Sequence, residues 1–234
     1  MRVLDLFAGK AGVGASCRRL GFAADSYEIE RGLEYDVTSP SNLRHFENLM
    51  RRRKIKAVML GTPCTSFSIA RDRTAVIRTR GEPWGVKLVS DKDRERLELG
   101  NKCARATIRI LKLCLKYHVP AILENPFSSK LWYLPFMVHV LRSGQAELVR
   151  GDFCQFGTRW RKATGFLCIN LPHDKVTQQL HHTCSGTRGF CSATDERHIQ
   201  LTGSAPSGVP WTKIAQPYPT KLCMSLARLL VGKC

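Results

Sequence analysis

The sequence predicts a doubly wound α/β fold built on a mostly parallel sheet. Two patterns carry this expectation: short apolar runs alternate with segments of helical spacing, and a glycine turn follows the first run. A third is the pair of apolar runs at 145–153 and 163–169, close enough in sequence to pair as an antiparallel hairpin. The expected architecture is therefore a series of parallel βαβ units with a hairpin at one edge.

The first run, residues 2–8 (Arg-Val-Leu-Asp-Leu-Phe-Ala), precedes Gly9, Gly12 and Gly14 and a helical segment at 15–20. A strand over 23–29 ends in acidic residues, a short third strand segment leads to Asp36, and a helix is expected over 41–53. Residues 56–60 form the next strand, closed by Gly61-Thr62-Pro63-Cys64. From 68 to 100 the apolar pattern fades in a stretch holding Arg71, Arg73, Arg78, Arg80 and Lys87, which reads as a long basic loop. Ala104, Ile108, Leu111 and Leu115 then recur at three-to-four spacing and predict a helix over 101–117. Pro120 opens a strand over 121–123, with Glu124-Asn125-Pro126 at its end. Residues 170–210 are rich in His, Cys, Thr and Gly with little periodicity, and a last helix is expected over 220–230.

At 234 residues the chain can bury the core of one ordinary domain. Its net charge of +18 favours a polyanionic partner, nucleic acid first, because cations that neutralise phosphates release condensed counterions. A solvated basic face or a membrane-surface protein would carry the same sign. Ten cysteines, with no apolar run of bilayer length and no leader at Met1, point to a reducing intracellular compartment. There, free cysteines are core fillers, metal ligands or nucleophiles before they are disulfides. Arg51-Arg52-Arg53-Lys54 fits a nuclear address or cations at a helix C-terminus.

In a doubly wound sheet, ligands lie beyond the carboxyl ends of the strands, so residues far apart in sequence converge there. Asp5, Gly9 and Gly12 stand at the first such end, where glycines admit a ligand to the backbone or simply allow tight packing. Glu28 at the second can accept from ribose hydroxyls or be a solvated charge, and Asp36 can accept from an adenine amino group or close a turn. Cys64 sits in a proline-stiffened turn beside backbone amides, a setting expected to stabilise a thiolate, although such a turn can be purely structural. Glu124 brings a carboxyl group to the neighbouring strand end.

Together these segments resemble the cytosine-5 DNA methyltransferase family, in the family's order and over almost the whole chain. Asp5-Leu6-Phe7-Ala8-Gly9 resembles its cofactor loop, Tyr27-Glu28-Ile29-Glu30 its ribose-binding strand end, and Tyr35-Asp36-Val37 its adenine-contacting aspartate. Pro63-Cys64-Thr65-Ser66-Phe67-Ser68 resembles the nucleophile motif. Glu124-Asn125-Pro126 resembles the Glu-Asn dipeptide, with Pro126 in place of the usual apolar residue.

The resemblance implies a Rossmann-like class I methyltransferase core with a seven-stranded sheet at 1–164, a reduced target-recognition insert at 165–200, and a closing segment with its helix at 201–234. It implies S-adenosylmethionine as cofactor, leaving as S-adenosylhomocysteine, held by Asp5, Phe7, Gly9, Gly12, Glu28, Ile29, Asp36, Pro63 and Thr220. Cys64 would add to carbon 6 of a flipped-out cytosine while Glu124 bonds ring nitrogen 3, and the methyl group would pass to carbon 5. Double-stranded DNA is the expected partner, contacted by Ser66, Ser68, Arg71, Arg73, Arg78, Arg80 and Arg159. An RNA cytosine-5 methyltransferase and a catalytically silent DNA binder are the alternatives. An amino-methyltransferase built on Asn125-Pro126-Phe127 fits less well, since that motif should follow the fourth strand and contain a second proline. A monomer without membrane contact is expected, in the nucleus of a eukaryote or otherwise in the cytoplasm or a host cell.

Three departures from the family pattern matter. Ala11 replaces a second glycine of the cofactor loop. The Gln-x-Arg-x-Arg segment is only echoed at 156–162, where Arg161 is the expected catalytic-pocket arginine and Arg159 the second choice. The short insert holds Cys168, His173, His181, His182, Cys184, Cys191 and His198. Zinc on Cys168, Cys184, Cys191 and His198 would brace a segment too small for a core, but the spacing fits no standard finger and no metal is expected. Residues 198–203 and 216–220 resemble the closing motifs, with Thr220 either touching the methionine moiety or capping the last helix.

Overall fold

The structure, a computed structural model, describes residues 1–233. The strands are β1 (Arg2–Leu6), β2 (Ala23–Tyr27), β3 (Ile55–Leu60), β4 (Ala121–Pro126), β5 (Ala146–Asp152) and β6 (Ala163–Ile169). The helices are α1 (Gly12–Arg19), α2 (Pro40–Arg51), α3 (Asp91–Lys116), α4 (Pro135–Arg142), α5 (His173–Leu180), the short α6 (Trp211–Ile214) and α7 (Thr220–Val231). The sheet runs in the order β2-β1-β3-β4-β6-β5. Its first four strands are parallel, and β6 pairs antiparallel with both β4 and β5. Alternating strands and helices thus build a mixed α/β doubly wound sheet, and the hairpin sits at its edge with β6 turned inward.

Side chains alternate across the sheet and bury two separate layers. Leu4, Leu6, Val58, Leu60, Leu123, Leu167 and Ile169 face one core with Phe46 and Met50 of α2, Ile110 and Leu111 of α3 and Val140 of α4. Val3, Ala57, Met59, Ile122, Phe166 and Cys168 face the other, with Val13 and Cys17 of α1, Val176 and Leu180 of α5, and Leu222, Leu226 and Leu230 of α7. Both faces are covered, which is why the inner strands β3 and β6 read as near-continuous apolar runs, whereas the edge strands β2 and β5 carry polar residues.

Several expectations are corrected. The described residues form six strands rather than seven, because residues Leu33–Tyr35 make a 3-10 turn. There the Asn42 side chain donates to the Glu34 and Asp36 carbonyls, 2.8 Å each, supplying the bonds a neighbouring strand would otherwise give. Helix α3 begins at Asp91, ten residues before the expected 101. Ser90 and Asp93 cap each other: the Ser90 hydroxyl accepts from the Asp93 amide at 3.3 Å and bonds its carboxylate at 3.1 Å. Asp91 and Asp93 also sit at the positive end of the helix dipole. Helices α4 and α5 lie where no helix was expected. The boundary drawn at 164/165 cuts through β6, which lies between β4 and β5, so the core extends through 169. No helix among the described residues is long and apolar enough to cross a membrane.

Candidate active site

At the end of β1 the chain turns sharply. Phe7 (φ 53°), Gly9 (φ 50°) and Ala11 (φ 54°) all occupy the left-handed region. A Cβ on Gly9 would meet nothing within 4 Å, so this backbone is open to a ligand. Ala11 holds a conformation that costs an L-residue roughly 1–2 kcal/mol, so the alanine for glycine exchange is not neutral. Asp5 is buried; its carboxylate accepts from the Gly14 amide at 2.9 Å and the Ser26 hydroxyl at 3.4 Å. It therefore shapes the start of α1 rather than lining the cleft. Gly12 allows close packing on α7, because a Cβ there would stand 2.7 Å from Cys223 Sγ. The Gly9 amide donates to Glu28 at 2.7 Å and ties the first two strand ends together. Ile29 stands exposed beside them. Asp36 accepts from both the amide and the hydroxyl of Thr38, closing a turn of its own, and from Lys102 of α3.

The ends of β3 and β4 lie side by side, since Leu60 is in register with Leu123. Asn125 reaches across and donates to the Thr62 carbonyl at 2.7 Å, which fixes the turn carrying half-buried Cys64 and exposed Pro63 beside the end of β4. Glu124 is 6% exposed; one carboxylate oxygen accepts from the Tyr218 hydroxyl at 2.8 Å, and the other is buried without a protein partner. Gly61 is required here. A side chain at that position would strike Tyr218 Oη at 2.8 Å and the Phe7 carbonyl at 2.9 Å. Burial pushes the Cys64 thiol above its ordinary range, the negative charge of Glu124 adds to that rise, and Lys162 opposes it. The expectation of a resting thiolate is thus corrected: isolation from water outweighs the turn amides, and Cys64 rests as a thiol.

Two groups at this site went unread in the sequence. Tyr218, in the segment before α7, fastens Glu124, and its only sequence signal was its place in a closing motif. Lys162 is the cation whose field bears on Cys64, although Arg161 next to it was the expected pocket residue. Arg161 donates instead to Asp152 at 3.0 Å, alongside Arg150 on the same carboxylate. Thr220 is the exposed first residue of α7 and makes no side-chain cap.

The basic loop is ordered by a cation expected to meet phosphate. Arg78 is fully buried and donates to the Ser66 carbonyl (3.1 Å) and hydroxyl (3.0 Å), the Pro83 carbonyl (2.7 Å), the Leu97 carbonyl (3.3 Å) and Asn101 Oδ1 (2.8 Å). Its guanidinium also stacks 3.9 Å from the Phe67 ring centroid. Burial lowers its pKa to about 10. Arg78 and Ser66 are therefore interior groups and not nucleic-acid contacts. Gly100 permits this approach, since a Cβ there would lie 2.1 Å from Ser66 Oγ. Arg71 is paired with Asp93 in the first turn of α3, and Ser68 caps the 3-10 turn Ile69–Arg73 by accepting from the Ala70 amide. Arg73, Arg80 and Arg159 remain exposed, Arg80 lying over the Tyr133 ring.

Of the metal candidates, Cys168 stands apart from the others, packed in β6 against the α7 layer. Cys184, Cys191 and His198 do converge, and the fourth member of their cluster is Cys154.

No protein-family model matches the chain, and no curated protein is significantly similar to it. Among solved structures it is similar to the Entamoeba histolytica methyltransferase EhMeth, with a TM-score of 0.45 and 11% identity over 88% of this chain and 63% of that one. It is also similar to the S. pombe Dnmt2 methyltransferase, with a TM-score of 0.38 and 17% identity over 84% of this chain and 59% of that one. The chain thus spans less than two thirds of the length of either structure.

Proposed function

We propose that the chain is an S-adenosylmethionine-dependent cytosine-5 methyltransferase acting on nucleic acid, with Cys64 as nucleophile and Glu124 holding the edge of the target base. The observation that carries this reading is the pairing at the ends of β3 and β4: a half-buried thiol within the field of a buried carboxylate that keeps one oxygen unpartnered. Such an oxygen costs stability unless something binds it, and the edge of a pyrimidine is a fitting partner.

The cofactor fits the first two strand ends. Open backbone at Gly9, the Glu28 carboxylate beside it and exposed Ile29 would hold an adenosine, with Asp36 further along the same edge. When bound there, S-adenosylmethionine supplies an electrophilic methyl group for carbon 5 of the base. The chain's own residues perform the rest. Cys64 must first lose its proton to solvent water, and the positive charge of Lys162 favours the thiolate that remains. The thiolate adds to carbon 6 and breaks the double bond to carbon 5. Glu124, whose other oxygen accepts from Tyr218, must carry a proton on its free oxygen when the base binds, so that it donates to ring nitrogen 3 and that proton neutralises the charge the addition moves into the ring. Once carbon 5 is methylated, loss of its proton restores the double bond and expels Cys64 as thiolate. Net charge of +18 supports a polyanionic substrate, either DNA or RNA.

Incubation with methyl-labelled cofactor and either duplex DNA or structured RNA tests this. Label should appear as 5-methylcytosine in one polymer and vanish with Cys64→Ser. Folded protein that labels neither polymer, or a Cys64→Ser variant that labels as well as the wild type, would refute the reading.

A further inference from the structure

Residues 181–200 form no helix and no strand, only an isolated bridge between Phe190 and Arg197. Three of their side chains are buried: Cys184, Cys191 and His198, each seven residues from the next. No Leu, Ile, Val or Phe of this segment joins them inside, so apolar burial does not explain why the segment holds its shape. The three meet Cys154, 2% exposed, on the 3-10 turn Phe153–Phe156 that follows β5. All four donor atoms lie within 4.8 Å of one another, and Cys184 Sγ stands 3.8 Å from His198 Nε2. In a tetrahedron with zinc–sulfur bonds of ~2.3 Å and a zinc–nitrogen bond of ~2.0 Å, donor atoms sit ~3.5–3.8 Å apart, a spacing this cluster nearly has. The sulfurs already receive outer hydrogen bonds: the Ser192 amide donates to Cys184 Sγ at 3.4 Å, and Gln155 Nε2 to Cys154 Sγ at 3.6 Å and Cys191 Sγ at 3.9 Å. Groups of this kind surround and orient metal thiolates.

We propose that Cys154, Cys184, Cys191 and His198 form a closed, structural zinc site that clamps the 184–198 segment onto the turn after β5. Three thiolates and an imidazole select zinc over hard cations, and four protein ligands leave no open position for catalysis. The clamp acts next to the candidate active site. Asp152 accepts both the Cys184 amide at 2.9 Å and Arg161 Nε at 3.0 Å, and the Ile199 amide donates to the Arg159 carbonyl at 2.8 Å. The metal would therefore fix the strip bearing Arg159, Arg161 and Lys162. This inference stands apart from the reaction proposed above and is tested without it.

The full chain, purified under reductant without chelator, should hold one zinc by elemental analysis. Cobalt in its place should give the visible bands of a tetrahedral thiolate site, and trypsin should cut after Arg188 and Arg197 only once the metal is removed. Cys154→Ala should lose the zinc, whereas Cys168→Ala should keep it. If Cys154→Ala fails to fold, wild-type metal content and chelator-dependent cleavage still decide. Folded wild type without zinc or cobalt bands, full zinc in folded Cys154→Ala, a different metal, or a disulfide among the three cysteines under reductant would each overturn the proposal.

Discussion

At Cys64, burial and two opposed charges set how often the thiol is ionised. Glu124 raises its pKa and Lys162 lowers it, so the two neighbours should shift its reactivity in opposite directions. Glu124→Gln is expected to speed alkylation of Cys64 at neutral pH by roughly threefold or more, and Lys162→Gln to slow it, as read from peptide-resolved iodoacetamide labelling. Slower labelling of Glu124→Gln would contradict the geometry. Asp5 offers a second test. Burial, only partly offset by bonds from Gly14 and Ser26, raises its pKa from 3.8 to about 6. The folded state then binds this proton more tightly than the unfolded state, so its contribution is complete below about pH 4 and fades as pH rises towards 6. Asp5→Asn should lack that loss. In urea unfolding, its stability relative to wild type should improve between these pH values by on the order of 2 kcal/mol, and a difference independent of pH would refute the assignment.

Among the elements, the nucleophile turn, the 68–90 loop and α3 are joined by Arg78, whose guanidinium saturates groups from all three. Arg78→Met would leave several buried carbonyls unpaired and is expected to cost about 3 kcal/mol or more, with early proteolysis of the loop. Lys at this position should rescue only part, because a point charge cannot span the fork of contacts that a guanidinium makes. A thermal midpoint of Arg78→Met equal to wild type would contradict this role. Nothing local in the sequence reveals it, because an arginine in a polar stretch reads as exposed until Phe67, Pro83 and Asn101 are brought around it. The start of α3 was hidden for a related reason: Asp91 to Leu99 carries charge on most positions and little apolar rhythm, and only the Ser90–Asp93 cap marks it. By contrast, β3, β4 and β6 were readable as buried apolar runs, and β5 through its short distance from β6.

For the whole molecule, the mixed α/β layout and the convergence of Cys64 with Glu124 were open to sequence reading, because strand order alone brings the ends of β3 and β4 together. What stayed hidden required contacts between distant segments. Tyr218 meets Glu124 across 94 residues, and Cys154 joins a cluster whose other members begin 30 positions later. Neither pairing has a local pattern. The proposed methyl transfer rests on the thiol of Cys64 and the free oxygen of Glu124 standing at neighbouring strand ends. The most direct measurement is to offer the protein nucleic acid in which cytosine is replaced by 5-fluorocytosine, together with S-adenosylmethionine. Fluorine at carbon 5 cannot leave as a proton does, so a covalent adduct should persist and map by mass spectrometry to the peptide containing Cys64, and Cys64→Ser should form none. Methyl transfer without any adduct, or an adduct on a different residue, would contradict the account.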